Sequence, residues 1–303
     1  MMVNNKGLIN FGGTQKVTGS AVGGSAIYHI NRSSSQDARA TSEPRGTWGI
    51  GVVTILAKEA KAVIKEFGLK EDGASTREQR FYAGNMKVPG AAVDVVATRA
   101  SGPGQRATMT ALSHLRRYYD PAVLVLVGLG GAIHHSIAIN DVVVATRVVY
   151  YDLRKVTSEG VQRRSEDRES PAGMVHAVNS FFTAHGEPAE LRVAKPARRT
   201  TPFRVFHGPI GSGDAVIADR ESEILKYLHT CNDKILAVDM EAGGLSQFCH
   251  ETSSASGAVP GWFVIRGISD HADRAKNDDR HDSAAMNAAR TLRNMIPYIH
   301  AGV

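Results

Sequence analysis

Cysteine is scarce in this chain: Cys231 and Cys249 are the only two in 303 residues. They have neither CxxC spacing nor paired histidines nearby, so a disulfide framework or a thiolate metal site is unsupported and both read as core thiols. Aromatic residues make up only 6% of the chain. No basic face is interleaved with aromatics in the manner that stacks bases, which argues against a nucleic-acid-binding module. Long apolar runs are missing as well. Nothing approaches the roughly 18 apolar residues of a membrane span, and the start MMVNNKGLIN lacks the apolar centre of a signal peptide. The expectation is a cytoplasmic protein with no membrane partner, no nucleic-acid partner, no metal and no cofactor. Charge of one sign is not strongly in excess either: 36 Lys and Arg face 30 Asp and Glu, a formal net charge of +6. The basic residues crowd Asp152–Ser170 and Ala194–Arg204, and the first of these stretches is heavily interleaved with acids.

What is present is enough for a sizeable core. Hydrophobic residues make up 42% of the sequence, ordinary for a globular protein. Residues 1–46 stand apart, rich in Gly, Ser, Thr and Asn. Their composition reads as a flexible segment joined by the polar linker NRSSSQDARATSEPRG. A second reading has INFGG and SAIYHI adding strands to another subunit or to a regulatory partner. From Trp48 onward the texture is that of one α/β domain, taken as residues 47–303. WGIGVVTIL is a buried strand, and AKEAKAVIKEFGL has helical spacing with Gly68 as its stop. FYAGNMKVPGAAVDVVATRAS gives two strands joined at Pro89-Gly90. GPGQRATMTALSHLRRYYD is a glycine turn into an amphipathic helix, and AVLVLVGLGGAI is a buried strand ending in glycines. DVVVATRVVYY, FRVFHGPIGSG, KILAVDM and WFVIRGISD follow as strands, with helices near 220–230, 241–250 and 283–296. Continuous apolar strands alternating with helices predict a covered, mixed central sheet in a three-layer α/β/α fold.

In open α/β sheets ligands lie beyond the carboxyl ends of strands. The polar residues of interest fall there. Glu59 follows VVTIL, and Gly102, Gly104 and Gln105 follow VVATRA. Gly128 to Gly131 follow AVLVLV, Glu241 follows ILAVD, and Ser269 and Asp270 follow WFVIRGI. The stretch AVDMEAGGL poses a sharper question, because it sets Asp239 and Glu241 around Met240 at the end of a buried strand. Taken alone, Glu241 is a helix-start carboxylate that would satisfy backbone N–H groups.

These segments, in this order over roughly residues 48–300, resemble the purine nucleoside phosphorylase and nucleosidase superfamily, and within it the methylthioadenosine/S-adenosylhomocysteine nucleosidase branch. The resemblance implies its fold and places its functional residues. ILAKEAKAV looks like the segment with the water-activating glutamate, which falls on Glu59. SGPGQRATMTAL resembles the glycine turn with Gly102, and PAVLVLVGLGGAI the central glycine loop with Gly128, Leu129 and Gly130. GSGDAVIAD resembles the base-binding segment, with Val216 and Ile217. In AVDMEAGGL, Glu241 would accept the ribose hydroxyls, Met240 pack against the sugar and Asp239 hold the turn. In VIRGISDHAD, Asp270 would protonate the departing purine beside Ser269, with Arg266 near the attacking water. The chemistry is coherent: an oxocarbenium-like sugar is stabilised by a nearby carboxylate, and a purine leaves more readily when N7 is protonated.

The implied activity is hydrolytic release of a purine, adenine by resemblance, from a nucleoside or a 5′-phosphorylated nucleotide, by an enzyme that is at least a dimer. Two positions depart from the family pattern. Leu129 stands where nucleosidases usually carry a serine, and Val216 where adenine-specific relatives usually carry an aromatic. The loop that covers the substrate's 5′ end with apolar side chains in the resembled enzymes here carries Arg154, Lys155, Arg163, Arg164 and Arg168. Guanidinium groups bind phosphate bidentately, so Arg163 and Arg164 are candidates for a 5′-phosphate chain. The same loop reads equally as solvated and salt-bridged through its own acids. Phosphorylase-like domains also act as nucleotide-cleaving effectors in bacterial antiviral defence, a second setting for such a loop. Phosphorolysis and a catalytically silent nucleotide sensor are the alternatives.

Overall fold

The computed structural model describes residues 49–89, 91–192, 202–252, 260–272 and 280–300. The expectations for residues 1–46, and most of the basic stretch from Ala194, lie outside them.

The first strand, β1 (Ile50–Thr54), is buried at every position, and α1 (Ala57–Phe67) follows it. α1 ends at Gly68, which takes φ 64, the left-handed conformation a glycine adopts without strain. A short β2 (Lys70–Glu71), β3 (Phe81–Val88) and β4 (Ala91–Arg99) form an antiparallel edge. α2 (Gln105–Tyr119) starts after Gly104 and leads to the central β5 (Val123–Ala132). Next come β6 (Val142–Ala145), β7 (Arg147–Tyr150), β8 (Arg154–Thr157), β9 (Gly160–Arg163), β10 (Glu166–Glu169), α3 (Ala172–His185) and β11 (Ala189–Leu191). The chain closes with β12 (Phe203–His207), β13 (Ile210–Ser212), α4 (Glu223–Cys231), β14 (Ala237–Asp239), α5 (Ala242–Glu251), β15 (Gly261–Asp270) and α6 (His281–His300). α4 is capped by Ser222, whose hydroxyl accepts from the Leu225 N–H.

β5 is the axis of the sheet. It pairs in parallel with β1 over its first half and with β15 along almost its whole length, and antiparallel with β14 at Gly131 and Ala132. From β14 the sheet continues through β13 and β7 to β10, and from β1 through β4 and β3 to β2. Side chains alternate across it, as a pleated strand requires. Val123, Val125 and Val127 of β5 join the cluster that contains α1, α3 and α6, while Leu124 and Leu126 join the one with α2 and α5. A third cluster packs α4 against Val149, Tyr151 and Val238. These are the three layers expected of the sequence, around a mixed sheet.

Several segments differ from the sequence reading, among them AGMVHAVNSFFTAH, which that reading leaves without an element and which forms α3. DVVVATRVVYY is two strands that part at Thr146, β6 lying beside β15 and β12 and β7 beside β13 and β10. FRVFHGPIGSG is likewise split, at Gly208-Pro209, into β12 and β13. The arginine-rich stretch is a hairpin, β8 on β9, followed by β10. Apolar runs show that a strand is buried, but not where the chain steps from one partner to another.

The approach of α6 to β15 sets the tightest steric limit. A Cβ on Gly267 would overlap the backbone carbonyl of Ala284 in α6. Overpacking against backbone costs about 1–3 kcal/mol or more. Gly267→Ala is therefore expected to lower the unfolding free energy by at least that amount, read as a lower urea midpoint at an unchanged slope, whereas alanine at Gly73, which has open space around it, leaves the midpoint unchanged.

Candidate active site

A cavity of about 260 Å³ opens beyond the carboxyl ends of β1, β5, β14 and β15. Four carboxylates line it: Glu59, Asp239, Glu241 and Asp270. All four are buried, none more than 7% exposed. Unpaired, such groups would each cost several kcal/mol.

Their partners are built into the sheet. Arg266, 0% exposed, reaches from β15 across β5. Its Nε donates to Asp239 Oδ2 at 2.8 Å, its Nη2 donates to the same oxygen, and Nη2 also donates to Glu241 Oε2 at 3.0 Å. Gly128 lies opposite Arg266 in the β5–β15 register. A Cβ there would collide with Arg266 Nη1 and stand 2.8 Å from Glu59 Oε1. Gly130 is less tightly held: a Cβ there would lie 3.1 Å from the Arg266 Cβ and 3.2 Å from the Val238 carbonyl oxygen. The glycines at the end of AVLVLVGLGGAI therefore make room for a buried guanidinium.

Glu59 belongs to the first turn of α1. Its Oε2 accepts from the N–H groups of Ile55 and Leu56, each at 2.7 Å, so one oxygen caps the helix. Oε1 accepts from the Leu129 N–H at 2.8 Å and shares the space above Gly128 with Arg266 Nη1, which has no hydrogen-bond partner among the described residues. Leu129 thus brings a backbone donor to the cavity it lines, while it also packs against the core cluster of α1, α3 and α6.

Glu241 does not cap α5, although it stands at the N-cap position. Asp239 does this instead: its Oδ1 accepts from the N–H groups of Glu241 at 3.2 Å and Ala242 at 3.1 Å. The Glu241 carboxylate faces Arg266 on one side and accepts from the Gly104 N–H at 3.0 Å on the other. Burial pushes its pKa up to about 7. Arg266 and the Gly104 N–H oppose that rise, while Asp239 and Glu59 add to it.

Asp270 ends β15, where the pairing with β5 shifts register between Ile268 and Asp270. Its Oδ2 accepts from the Ser269 hydroxyl at 3.0 Å and its Oδ1 from the Ala272 N–H at 2.8 Å. Ala272 takes φ 53, uncommon for a residue with a side chain. Met240, Val216, Ile217 and Ser269 also line the cavity, Val216 at 59% exposure.

The structure therefore brings Glu59, Asp239, Met240, Glu241, Ser269, Asp270, Leu129, Gly130, Val216 and Ile217 to one cavity. Gly128 and Arg266 lie behind its wall. Gly102 is outside the lining, where its neighbour Pro103 takes a place. Arg163 and Arg164 are not among the lining residues. Arg163 Nη1 donates to the Tyr151 carbonyl at 3.2 Å and lies 3.6 Å from Asp152, and Arg164 is exposed. Arg168 pairs with Glu166 at 2.7 Å, while Asp167 is taken by Arg147. Sequence reasoning missed Tyr151 and His281, which both line the cavity. Tyr151 was hidden in an apolar strand, and His281 follows a segment without apolar periodicity. Among the described residues no group of three His, Cys, Asp or Glu side chains is placed to hold a metal ion, and no helix is long and apolar enough to cross a membrane.

Comparison with known proteins agrees with this architecture. Residues 49–297 match the family model of the phosphorylase superfamily. A 5′-methylthioadenosine/S-adenosylhomocysteine nucleosidase of Shewanella sp. (strain W3-18-1) is 30% identical over 195 residues, 64% of this chain and 73% of the relative. The enzyme of that name from Shewanella baltica (strain OS185) is 31% identical over 195 residues, 64% of this chain and 72% of the relative. Among solved structures, futalosine hydrolase of Helicobacter pylori strain 26695 superposes with a TM-score of 0.63 at 18% identity, covering 82% of this chain and 97% of that one. The Neisseria meningitidis 5′-methylthioadenosine/S-adenosylhomocysteine nucleosidase in complex with methylthio-immucillin-A gives 0.62 at 21% identity, covering 82% and 98%. With the family model spanning nearly all of the described residues, the chain belongs to the phosphorylase superfamily.

Proposed function

We propose that the chain hydrolyses the N-glycosidic bond of an adenine nucleoside, 5′-methylthioadenosine and S-adenosylhomocysteine included, and releases the free base. One observation carries this reading. Glu241 stands at a helix start yet turns its carboxylate to the cavity, because Asp239 has taken the capping role. A carboxylate so placed is suited to two ribose hydroxyl donors. The relatives' names supply the adenine nucleoside and the hydrolytic outcome.

In the reaction the C1′–N9 bond breaks and its electron pair leaves with the purine. Asp270, in its protonated form, gives N7 a proton. Glu241, ionised, holds the ribose hydroxyls and stabilises the positive charge that develops on the sugar. Water adds to C1′ and loses its proton to Glu59 Oε1, the oxygen beside Arg266 Nη1. The products are adenine and a free ribose sugar, and the two protons balance. No arginine or lysine is found among the described lining residues, so a 5′ thioether substituent suits this cavity better than a phosphate chain. The reading extends to a homo-oligomer: Val156 and Val161 pair across the β8–β9 hairpin at 74% and 55% exposure, an apolar face that a second copy would cover.

Chromatography of base released from adenosine, methylthioadenosine, AMP and ATP tests the proposal. The nucleosides are expected to yield adenine faster than the nucleotides. Asp270→Asn should slow release by at least ~100-fold, the usual scale for an acid–base contributor; release at the unmodified rate would remove Asp270 from the mechanism.

The pH profile gives a separate check. Glu241 must be ionised to accept two hydroxyls, and its pKa lies near 7. It is protonated below that value and ionised above it. kcat/KM should therefore climb as pH rises through about 7, since this ratio reports the free enzyme. Glu241→Gln should abolish that limb along with most of the activity. A flat profile between pH 5.5 and 8.5, ranges set at roughly 1.5 units either side, would contradict the role.

A further inference from the structure

A glutamate at the first position of a helix ordinarily bonds back to the free N–H groups of the first turn, where the helix dipole also favours it. For α5 each of those groups has another acceptor. Asp239 Oδ1 takes the N–H groups of Glu241 and Ala242. Ser212 Oγ, at the end of β13, takes that of Gly243 at 2.9 Å. Gln105 Oε1, at the start of α2, takes that of Gly244. Gln105 Nε2 donates to Ser212 Oγ at 3.1 Å, which joins the two acceptors into one unit. The fit is close at the glycines of EAGGL: a Cβ on Gly244 would lie 2.8 Å from the Gln105 carbonyl oxygen, and one on Gly243 would lie 2.9 Å from the Tyr150 ring and 3.1 Å from Gln105 Oε1.

We infer that Gln105 and Ser212 are positioning residues for Glu241, holding the N–H groups of Gly243 and Gly244 so that the glutamate is left to face the cavity. Neither residue lines the cavity. What the carboxylate does there rests on the proposed function, but the occupancy of the helix start does not. With Ser212 replaced, Gly243 presents a free N–H group within one turn of Glu241, whereas the Gly244 N–H, which also donates to the Glu241 carbonyl at 3.0 Å, loses only its second acceptor when Gln105 is replaced. A carboxylate that turns toward the Gly243 N–H gains a hydrogen bond that favours its ionised form. The charged groups around Glu241 stay the same: Arg266 and Asp270 from β15, Asp239 from β14, Glu59 from α1 and His281 from α6. A shift in Glu241 titration therefore reports its change of partner.

The test uses the full chain with Gln105→Leu, Ser212→Ala and the double substitution. The Glu241 carboxyl is followed by carbon NMR of labelled glutamate, its signal assigned by its loss in Glu241→Gln. In Ser212→Ala the titration should move to lower pH by ~1 unit, a modest share of what such a hydrogen bond can produce, and in Gln105→Leu, which removes the donor that holds Ser212, it should move the same way by less. The rising limb of kcat/KM should move with it, and kcat/KM should fall ~10-fold. The double substitution should cost little more than the worse single one, because both act through one network. An unmoved Glu241 titration overturns the inference, whether activity holds or falls with a lowered melting temperature. If one variant does not fold, the other still decides. If the unmodified protein releases no base from any purine nucleoside, the proposed function fails, while the Glu241 titration still settles the positioning role.

Discussion

A guanidinium sealed from solvent needs its charge answered on the spot, and the centre of this protein is arranged around that need. Arg266 contributes from β15, the strand held between β5 and β6. Asp239 and Glu241 meet it from the turn between β14 and α5, and Glu59 approaches from α1. Breaking a buried pair of this kind typically costs about 3–5 kcal/mol, because the partner is left charged without water. Burial keeps the arginine's own pKa from rising as far as Asp239 and Glu241 would push it, but the net direction is upward, so it remains a cation. The network therefore fixes β5, β14, β15 and the starts of α1 and α5 relative to one another, and those are the elements that carry the cavity.

The division of labour between Asp239 and Glu241 follows from the same constraint. Both belong to AVDMEAGGL, and both touch Arg266. Asp239, one carbon shorter, is held at the strand end, where it bonds the first two N–H groups of α5 as well as the guanidinium. Glu241 extends past that point to the cavity. Two carboxylates two residues apart thereby do different work, one closing the helix start and one facing the cavity.

Much of this was legible in the sequence, and the parts that were not have physical causes. The alternation of buried strands and helices gave the layered fold, and the carboxylates at strand ends marked the cavity, because a buried strand has few reasons to end on an acid. Gly128 and Gly130 were readable as a glycine loop at a strand end, but their reason, the side chain of Arg266 lying across them, is a contact between strands far apart in sequence. The same holds for Gln105 and Ser212, whose partners lie in α5. Arg163 and Arg164 show the limit in the opposite sense. Their charge is plain in the sequence, but the β8–β9 hairpin sets them outside the cavity lining, and Asp152 takes up one of them. Thr146 carries no breaker signal, so the passage from β6 to β7 reads as one strand.

The acceptor of the sugar is the point on which hydrolysis, and with it the arrangement of Glu59 beside Arg266, stands or falls. Adenosine turned over in ¹⁸O-labelled water with phosphate present would settle it by mass spectrometry of the sugar. The account predicts free ribose labelled in its C1′ oxygen, at a rate indifferent to phosphate. Unlabelled ribose 1-phosphate, formed faster as phosphate is added, would contradict it.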